Sequence, residues 1–115
     1  MKLFRWGPLG QEKPGAVDAG GIHRDISGLL PDIAGEDLGS SMLALLQSTD
    51  MSTCPVVPSD ARRGPCVGRV GKFICVGLNY ADHAAESGMD VPEEPVLFFK
   101  ATSAICGPND NIIIP

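Results

Sequence analysis

Residues 70–86 read VGKFICVGLNYADHAAE, and this stretch decides how the second half of the chain folds. Lys72–Val76 is a largely apolar run bounded by glycines, which predicts a buried strand. The next three residues are expected to turn the chain, with the side chain of Asn79 capping a short helix that runs through Ser87 and stops at Gly88. The stretch therefore predicts a strand, a tight turn and a short helix.

The residues after this helix continue the pattern of strands and turns. Residues 92–95 form a loop stiffened by two prolines, and Val96–Phe99 is predicted to be a second buried strand. Residues 107–110 predict a turn, and Ile112–Ile114 predicts a third strand. Three isoleucines in a row favour a partner strand on each side, so we expect the polypeptide to stop in the middle of a fold.

The first half of the chain predicts a small sheet and one helix. Lys2–Trp6 contains two aromatic residues and predicts a strand, and residues 14–26 predict a hairpin that pairs with it. Glu36–Gln47 is the best helix candidate, because Leu38, Met42, Leu45 and Leu46 repeat at steps of three and four. The acidic residues at its start are expected to oppose the positive end of the helix dipole.

A change of composition marks a predicted domain boundary. Residues 48–70 are rich in proline, glycine and serine, which predicts an irregular connection that ends near residue 68. We therefore predict an α+β chain with a small N-terminal α+β domain at residues 1–68. The start of a second domain follows at residues 69–115.

Composition and charge exclude several classes of function. The net charge is −5 and the nine basic residues are scattered, whereas a nucleic-acid partner calls for clustered Lys and Arg. No apolar stretch approaches the length of a membrane span, and the N-terminus lacks the apolar core of a signal peptide. The four cysteines show no zinc-ligand spacing and predict reduced thiols. These features together favour a cytoplasmic protein with neither nucleic-acid nor membrane partners.

The predicted helix carries the most promising chemistry. His83 and Glu86 are three residues apart, which places both side chains on one helix face. A carboxylate beside a histidine forms a workable general-base pair, in which the imidazole takes a proton from water. The same spacing also suits two solvated side chains on an exposed helix. Tyr80 is similarly open to two interpretations, a buried ring or a polar group aimed at a ligand.

Two further groups carry weaker signals. Lys100 closes an apolar strand, where its ammonium group can either reach a substrate carboxylate or simply meet solvent. Glu93 and Glu94 are adjacent and lie between prolines, which favours solvated loop charges over metal ligands.

Residues 70–115 together resemble the opening of the fumarylacetoacetate hydrolase catalytic domain. The points of likeness are residues 70–86, Pro92, residues 94–100, Ser103 and residues 107–110. Residues 1–50 also resemble the small N-terminal domain of bacterial members, including those called 2,4-diketo-3-deoxy sugar-acid hydrolases or ureidoglycolate lyases. The resemblance implies a small α+β domain followed by the first strands of a mixed β-roll catalytic domain.

The resemblance also implies a function. The chain would be the N-terminal portion of an enzyme that hydrolyses a carbon–carbon bond in 2,4-diketo acids such as acylpyruvates. His83 and Glu86 would be the catalytic pair that activates water, and Asn79, Tyr80, Lys100 and Ser103 would contact the substrate. The metal, Mg²⁺ or Mn²⁺, would be held by ligands beyond residue 115, so no metal ligand is expected in this chain.

Several expectations follow from that assignment. The isolated chain should be inactive, and the longer protein should be a homodimer that binds a 2-oxo acid. Isomerases, decarboxylases and ureidoglycolate lyases of the same family share these residues and stay open as alternatives. A different hypothesis is a non-catalytic N-terminal interaction module.

Overall fold

The computed structural model describes residues 1–114, which combine short helices with two antiparallel sheets. The strands are β1 (Lys2–Trp6), β2 (Lys13–Val17), β3 (His23–Asp25), β4 (Phe73–Gly77) and β5 (Val96–Lys100). The helices are α1 (Ser40–Ser48) and α2 (Ala81–Glu86), and short 3₁₀ turns cover Met51–Thr53 and Thr102–Ala104. This arrangement is an α+β fold, as predicted, whereas a mixed β-roll stays a proposal. No helix among the described residues is long and apolar enough to cross a membrane.

The chain forms two compact units. The first unit contains Met1–Val70 together with the segment that begins at Ile105, and the second contains Gly71–Ala104. The division into domains at residues 1–68 and 69–115 was predicted for a longer protein, and it stays a prediction. In this chain the segment after Ile105 groups with the first unit, because a two-point ion pair connects Asp110 to Arg62.

A three-stranded sheet organises the first unit. The central strand β2 pairs antiparallel with β1 on one side and β3 on the other, which confirms the predicted hairpin and its pairing with the first strand. The turn between β2 and β3 is held by the carboxylate of Asp18, which accepts hydrogen bonds from the backbone N–H groups of Gly20 and Ile22. Gly21 adopts a φ of 82° there, a conformation that glycine reaches without strain.

The apolar core of the first unit forms between this sheet and α1. Its buried members come from the sheet, from the segments that flank α1 and from α1 itself; they are Ala16, Ile26, Leu30, Leu46 and Met51. Leu38 and Met42, on the predicted apolar stripe, pack against this cluster as half-buried side chains. Leu45, which was expected on the same face, is 44% exposed. The stripe is therefore correct in three of its four positions.

Helix α1 begins four residues later than its sequence pattern predicts. The acidic residues Glu36 and Asp37 lie outside the helix, where both accept hydrogen bonds from the guanidinium group of Arg69. Gly39 occupies the N-cap position with no side-chain hydrogen bond. The expected dipole interaction is thus replaced by an ion pair with a residue more than 30 positions away.

An antiparallel hairpin and one short helix form the second unit. Strands β4 and β5 pair in the register Phe73↔Lys100 through Gly77↔Val96, so both predicted strands are present. The prediction that they are buried is wrong for this chain, because every residue of β5 is exposed. Ile112–Ile114 is irregular and more than 85% exposed, so the predicted third strand is also wrong here. An apolar run indicates a strand but does not supply the surface that covers it.

Candidate functional site

A left-handed residue precedes the candidate site. Leu78 has a φ of 50°, which costs a non-glycine residue about 1–2 kcal/mol. It connects the end of β4 to Asn79 and Tyr80, within the turn that the sequence predicts. Backbone strain of this kind is concentrated at sites where a fixed geometry is needed.

Helix α2 is closed at its C-terminus by a Schellman motif. Gly88, with a φ of 65°, donates its N–H to the carbonyl of Ala85, and Met89 donates to the carbonyl of Ala84. The predicted stop at Gly88 is confirmed. The predicted cap at Asn79 is wrong, because Tyr80 is the N-cap residue and makes no side-chain capping bond. Its extended backbone aligns its carbonyl oxygen with the N–H of Ala84 instead.

The side chains of α2 differ in how deeply they are buried. Ala84 is fully buried and anchors the helix, while His83 and Glu86 are exposed. The carboxylate of Asp82 accepts a hydrogen bond of 2.9 Å from the backbone N–H of His83. No hydrogen bond or ion pair joins His83 to Glu86 among the described residues. The structure thus presents both groups of the predicted pair to solvent without linking them.

An open cavity of about 600 Å³ lies in the second unit, and none of its lining residues belongs to α2. It is lined by the end of β4 and the start of β5, by the turn between β4 and α2, and by the proline-bracketed loop: Val76, Gly77, Leu78, Asn79, Val91, Pro92, Glu93, Glu94, Pro95 and Leu97. Asn79 is the one predicted site residue that lines it. Glu93 and Glu94, which the sequence favoured as solvated loop charges, line the same cavity.

The remaining predicted substrate contacts lie elsewhere in the second unit. Lys100 pairs with Phe73 at the opposite end of the hairpin from Gly77, about 13 Å along the strands at 3.3 Å per residue. Ser103 follows it in the 3₁₀ turn and is exposed. Tyr80 is 71% exposed at the start of α2. Asn79 and Tyr80 are adjacent in sequence, only Asn79 lines the cavity, and Lys100 lies at the other end of the hairpin.

The charge of the second unit is unfavourable for an anionic ligand. Its sequence contains five carboxylates, at positions 82, 86, 90, 93 and 94, and only two lysines. Among residues 1–114, no cluster of three or more His, Cys, Asp or Glu side chains is arranged to hold a metal ion. The residues described here do not form a metal site by themselves, and the expectation that this chain contributes no ligand stays a prediction.

Comparison with known proteins finds one matching family model and several similar proteins. Residues 72–115 match the model of the family described as Fumarylacetoacetate (FAA) hydrolase C-terminal. The whole chain is 62% identical over 115 residues to proteins named putative hydrolase from Burkholderia ambifaria, Burkholderia multivorans and Burkholderia cenocepacia. The chain spans 41% of the length of each of these relatives. Residues 72–115 are therefore similar to this family, and the chain as a whole is similar to proteins named putative hydrolase.

Proposed function

We propose that this chain supplies the water-activating half of a hydrolase that cleaves 2,4-diketo acids. The observation that carries the proposal is the exposed pair His83 and Glu86 on one short helix, anchored by Ala84 and fixed at its end by Gly88. The pair lies inside the segment that matches the family model. Asn79, two positions before the helix, lines an open cavity.

The two side chains have complementary roles in this proposal. The neutral imidazole of His83 accepts a proton from a water molecule, and the water oxygen attacks the distal carbonyl of the substrate. The carboxylate of Glu86 orients the imidazole and stabilises its protonated form. Because the two groups are not hydrogen-bonded in this chain, we expect their side chains to come together when substrate binds.

The substrate's own charge indicates what must lie outside this chain. A 2,4-diketo acid is an anion, and the five carboxylates of the second unit oppose its binding. A divalent cation bound by ligands beyond residue 115, Mg²⁺ or Mn²⁺, would offset that charge. The proposal therefore gives the isolated chain no catalytic activity and assigns activity to a longer homodimeric protein.

Site-directed variants of a protein of the relatives' length that contains this chain test the proposal. His83→Ala should lower kcat by about 10²–10⁴-fold on an acylpyruvate such as 2,4-dioxopentanoate, because a general base contributes that much. Glu86→Gln should lower kcat less, because the imidazole of His83 remains and only the carboxylate proposed to orient it is lost. Asp90→Asn, a nearby exposed carboxylate outside the helix, is the matched control and should leave kcat unchanged.

One outcome would contradict the assignment directly. If His83→Ala retains the kcat of the parent protein while its circular dichroism spectrum shows a folded chain, the pair is a solvated surface feature. An equal loss of kcat in Asp90→Asn would show that the assay reports folding and not chemistry.

The non-catalytic interaction module stays as a second candidate, on a specific observation. Nearly all of the chain's buried apolar side chains lie in the first unit, and Ala84 is the one buried apolar residue between positions 71 and 104. The first unit thus has a core of its own. Limited proteolysis that leaves residues 1–70 as a stable product, in a protein without hydrolase activity, would favour this candidate.

A further inference from the structure

A cavity of about 410 Å³ in the first unit contains two cysteines in its lining. Cys66 and Cys106 both line it and both are exposed, and both carry free thiols. The rest of the lining is mostly apolar and includes Phe4, Pro65 and Pro108. Two thiols that are 40 positions apart in sequence therefore line the same cavity.

The segments that carry these cysteines are already held together. The guanidinium group of Arg62 donates to both carboxylate oxygens of Asp110, at 2.7 and 2.6 Å. Gly107 lies so close to the carbonyl oxygen of Arg63 that a side chain at this position would overlap with it. The backbone N–H of Gly107 donates to Asp110 at 2.7 Å, which fixes the turn beside Cys106.

We propose that Cys66 and Cys106 are a dithiol modification site that closes to an intramolecular disulfide across this cavity. The ion pair between Arg62 and Asp110 ties together the two segments that contain these cysteines. Cys54 is half-buried against the core of the first unit, and Cys75 belongs to the second unit. Neither lines the cavity, so the exchange is specific to one pair.

The chemistry is a thiol–disulfide exchange with a low-molecular-weight disulfide as the oxidant. The thiolate of one cysteine attacks a sulfur of the small disulfide, forms a mixed disulfide and releases one small thiolate. The thiolate of the second cysteine then attacks the protein sulfur of the mixed disulfide and releases the other small thiolate. The protein gives up two electrons and two protons, and the small disulfide is reduced to two thiols.

The disulfide has a predictable effect on the first unit. It closes a loop of about 40 residues between Cys66 and Cys106, which restricts the unfolded chain more than the folded one. It also adds a covalent attachment of the segment that begins at Ile105 to the salt-sensitive ion pair between Arg62 and Asp110. We expect Tm to rise by on the order of 10 °C on oxidation and to return on reduction.

Tryptic peptide mapping tests the proposal, because each cysteine lies in a different tryptic peptide. Cys66 falls in residues 64–69 and Cys106 in residues 101–115, while Cys54 and Cys75 fall in residues 25–62 and 73–100. The folded 115-residue chain is incubated with oxidised glutathione, quenched and mapped without reductant. The expected result is a linked peptide pair, 64–69 with 101–115, in a monomer that has lost the mass of two hydrogen atoms.

Serine variants give the matched controls. In Cys66→Ser and in Cys106→Ser, the remaining cysteine of the pair should end as a glutathione mixed disulfide, and the rise in Tm should vanish. Cys75→Ser should still give the linked pair. Glutathione mixed disulfides at both Cys66 and Cys106 of the parent chain, without the linked pair, would overturn the proposal. Linkage to Cys54 or Cys75, or linkage only in dimers on a non-reducing gel, would also overturn it.

Discussion

Leu46→Ala is the substitution that most sharply tests how α1 is placed on the core of the first unit. Leu46 is 1% exposed, whereas its neighbour Leu45 is 44% exposed on the same helix. Both residues are leucines with equal helix propensity, and alanine is the better helix former in each case. The two substitutions remove the same atoms, so a difference between them reports burial alone.

The expected loss in the free energy of unfolding follows from the burial of Leu46. Removing three carbon groups from a fully buried site costs about 2.4 kcal/mol in transfer free energy, at about 0.8 kcal/mol each. The cavity left beside Ile26 and Met51 raises the cost to about 3 kcal/mol. For a chain of this size, we expect Tm to fall by roughly 12 °C. Leu45→Ala should cost less than about 1 kcal/mol, because nearly half of its side chain is already in solvent.

Urea denaturation followed by far-UV circular dichroism measures both free energies of unfolding. The slope of the free energy against urea concentration should stay constant, so the midpoints report stability directly. Equal losses for the two variants would refute the described orientation of α1. A larger loss for Leu45→Ala would mean that the helix is rotated so that Leu45, and not Leu46, packs on the core.

Two further predictions concern the same unit. Gly15→Ala should lower the free energy of unfolding by about 1–3 kcal/mol, because a Cβ would overlap the ring of Phe4 on the paired strand. In the control Gly28→Ala the new Cβ meets open space, so stability should change by less than about 0.5 kcal/mol. Thermal melts of the two variants give the comparison. Hydrogen bonds from Arg62 and from the backbone lower the pKa of Asp110 below its ordinary value of 3.8. The stability that this carboxylate contributes is present above the ordinary value and is lost as pH falls through the lowered pKa. Asp110→Asn should therefore weaken the chain at neutral pH and make its stability less dependent on pH in that acid range, as seen in melts at a series of pH values; an unchanged acid dependence would contradict the ion pair.

Local patterns predicted the elements of this chain well. The first three strands needed only alternation and turn residues, and the turn residues also indicated the β2–β3 hairpin, which pairs with β1 as predicted. The end of α2 was predictable because Gly88 supplies the left-handed conformation that a Schellman motif requires.

The errors came from interactions that a local pattern does not contain. The start of α1 depended on Arg69, whose guanidinium group binds Glu36 and Asp37 from a distant part of the sequence. The burial predicted for β5 and for Ile112–Ile114 depended on a covering surface, and apolar residues alone do not reveal what supplies it.

Candidate site residues could be named from the sequence, but their layout could not, and their roles stay a prediction. Spacing correctly placed His83 and Glu86 on one exposed helix. Residue spacing did not indicate that Glu93 and Glu94 line a cavity with Asn79, because their place in the lining depends on the path of the loop after α2. The separation of Lys100 from Asn79 follows from the antiparallel register of β4 and β5, which is known only once the strands are paired.

Product analysis tests the proposed function most directly. A protein of the relatives' length that contains this chain is incubated with 2,4-dioxopentanoate in ¹⁸O-labelled water, and the products are identified by NMR and mass spectrometry. The expected products are pyruvate and acetate, with one labelled oxygen from water in the acetate. We expect His83→Ala to form these products at least about 10²-fold more slowly. Release of carbon dioxide, or an isomer of unchanged mass, would contradict hydrolysis and assign the protein a different reaction.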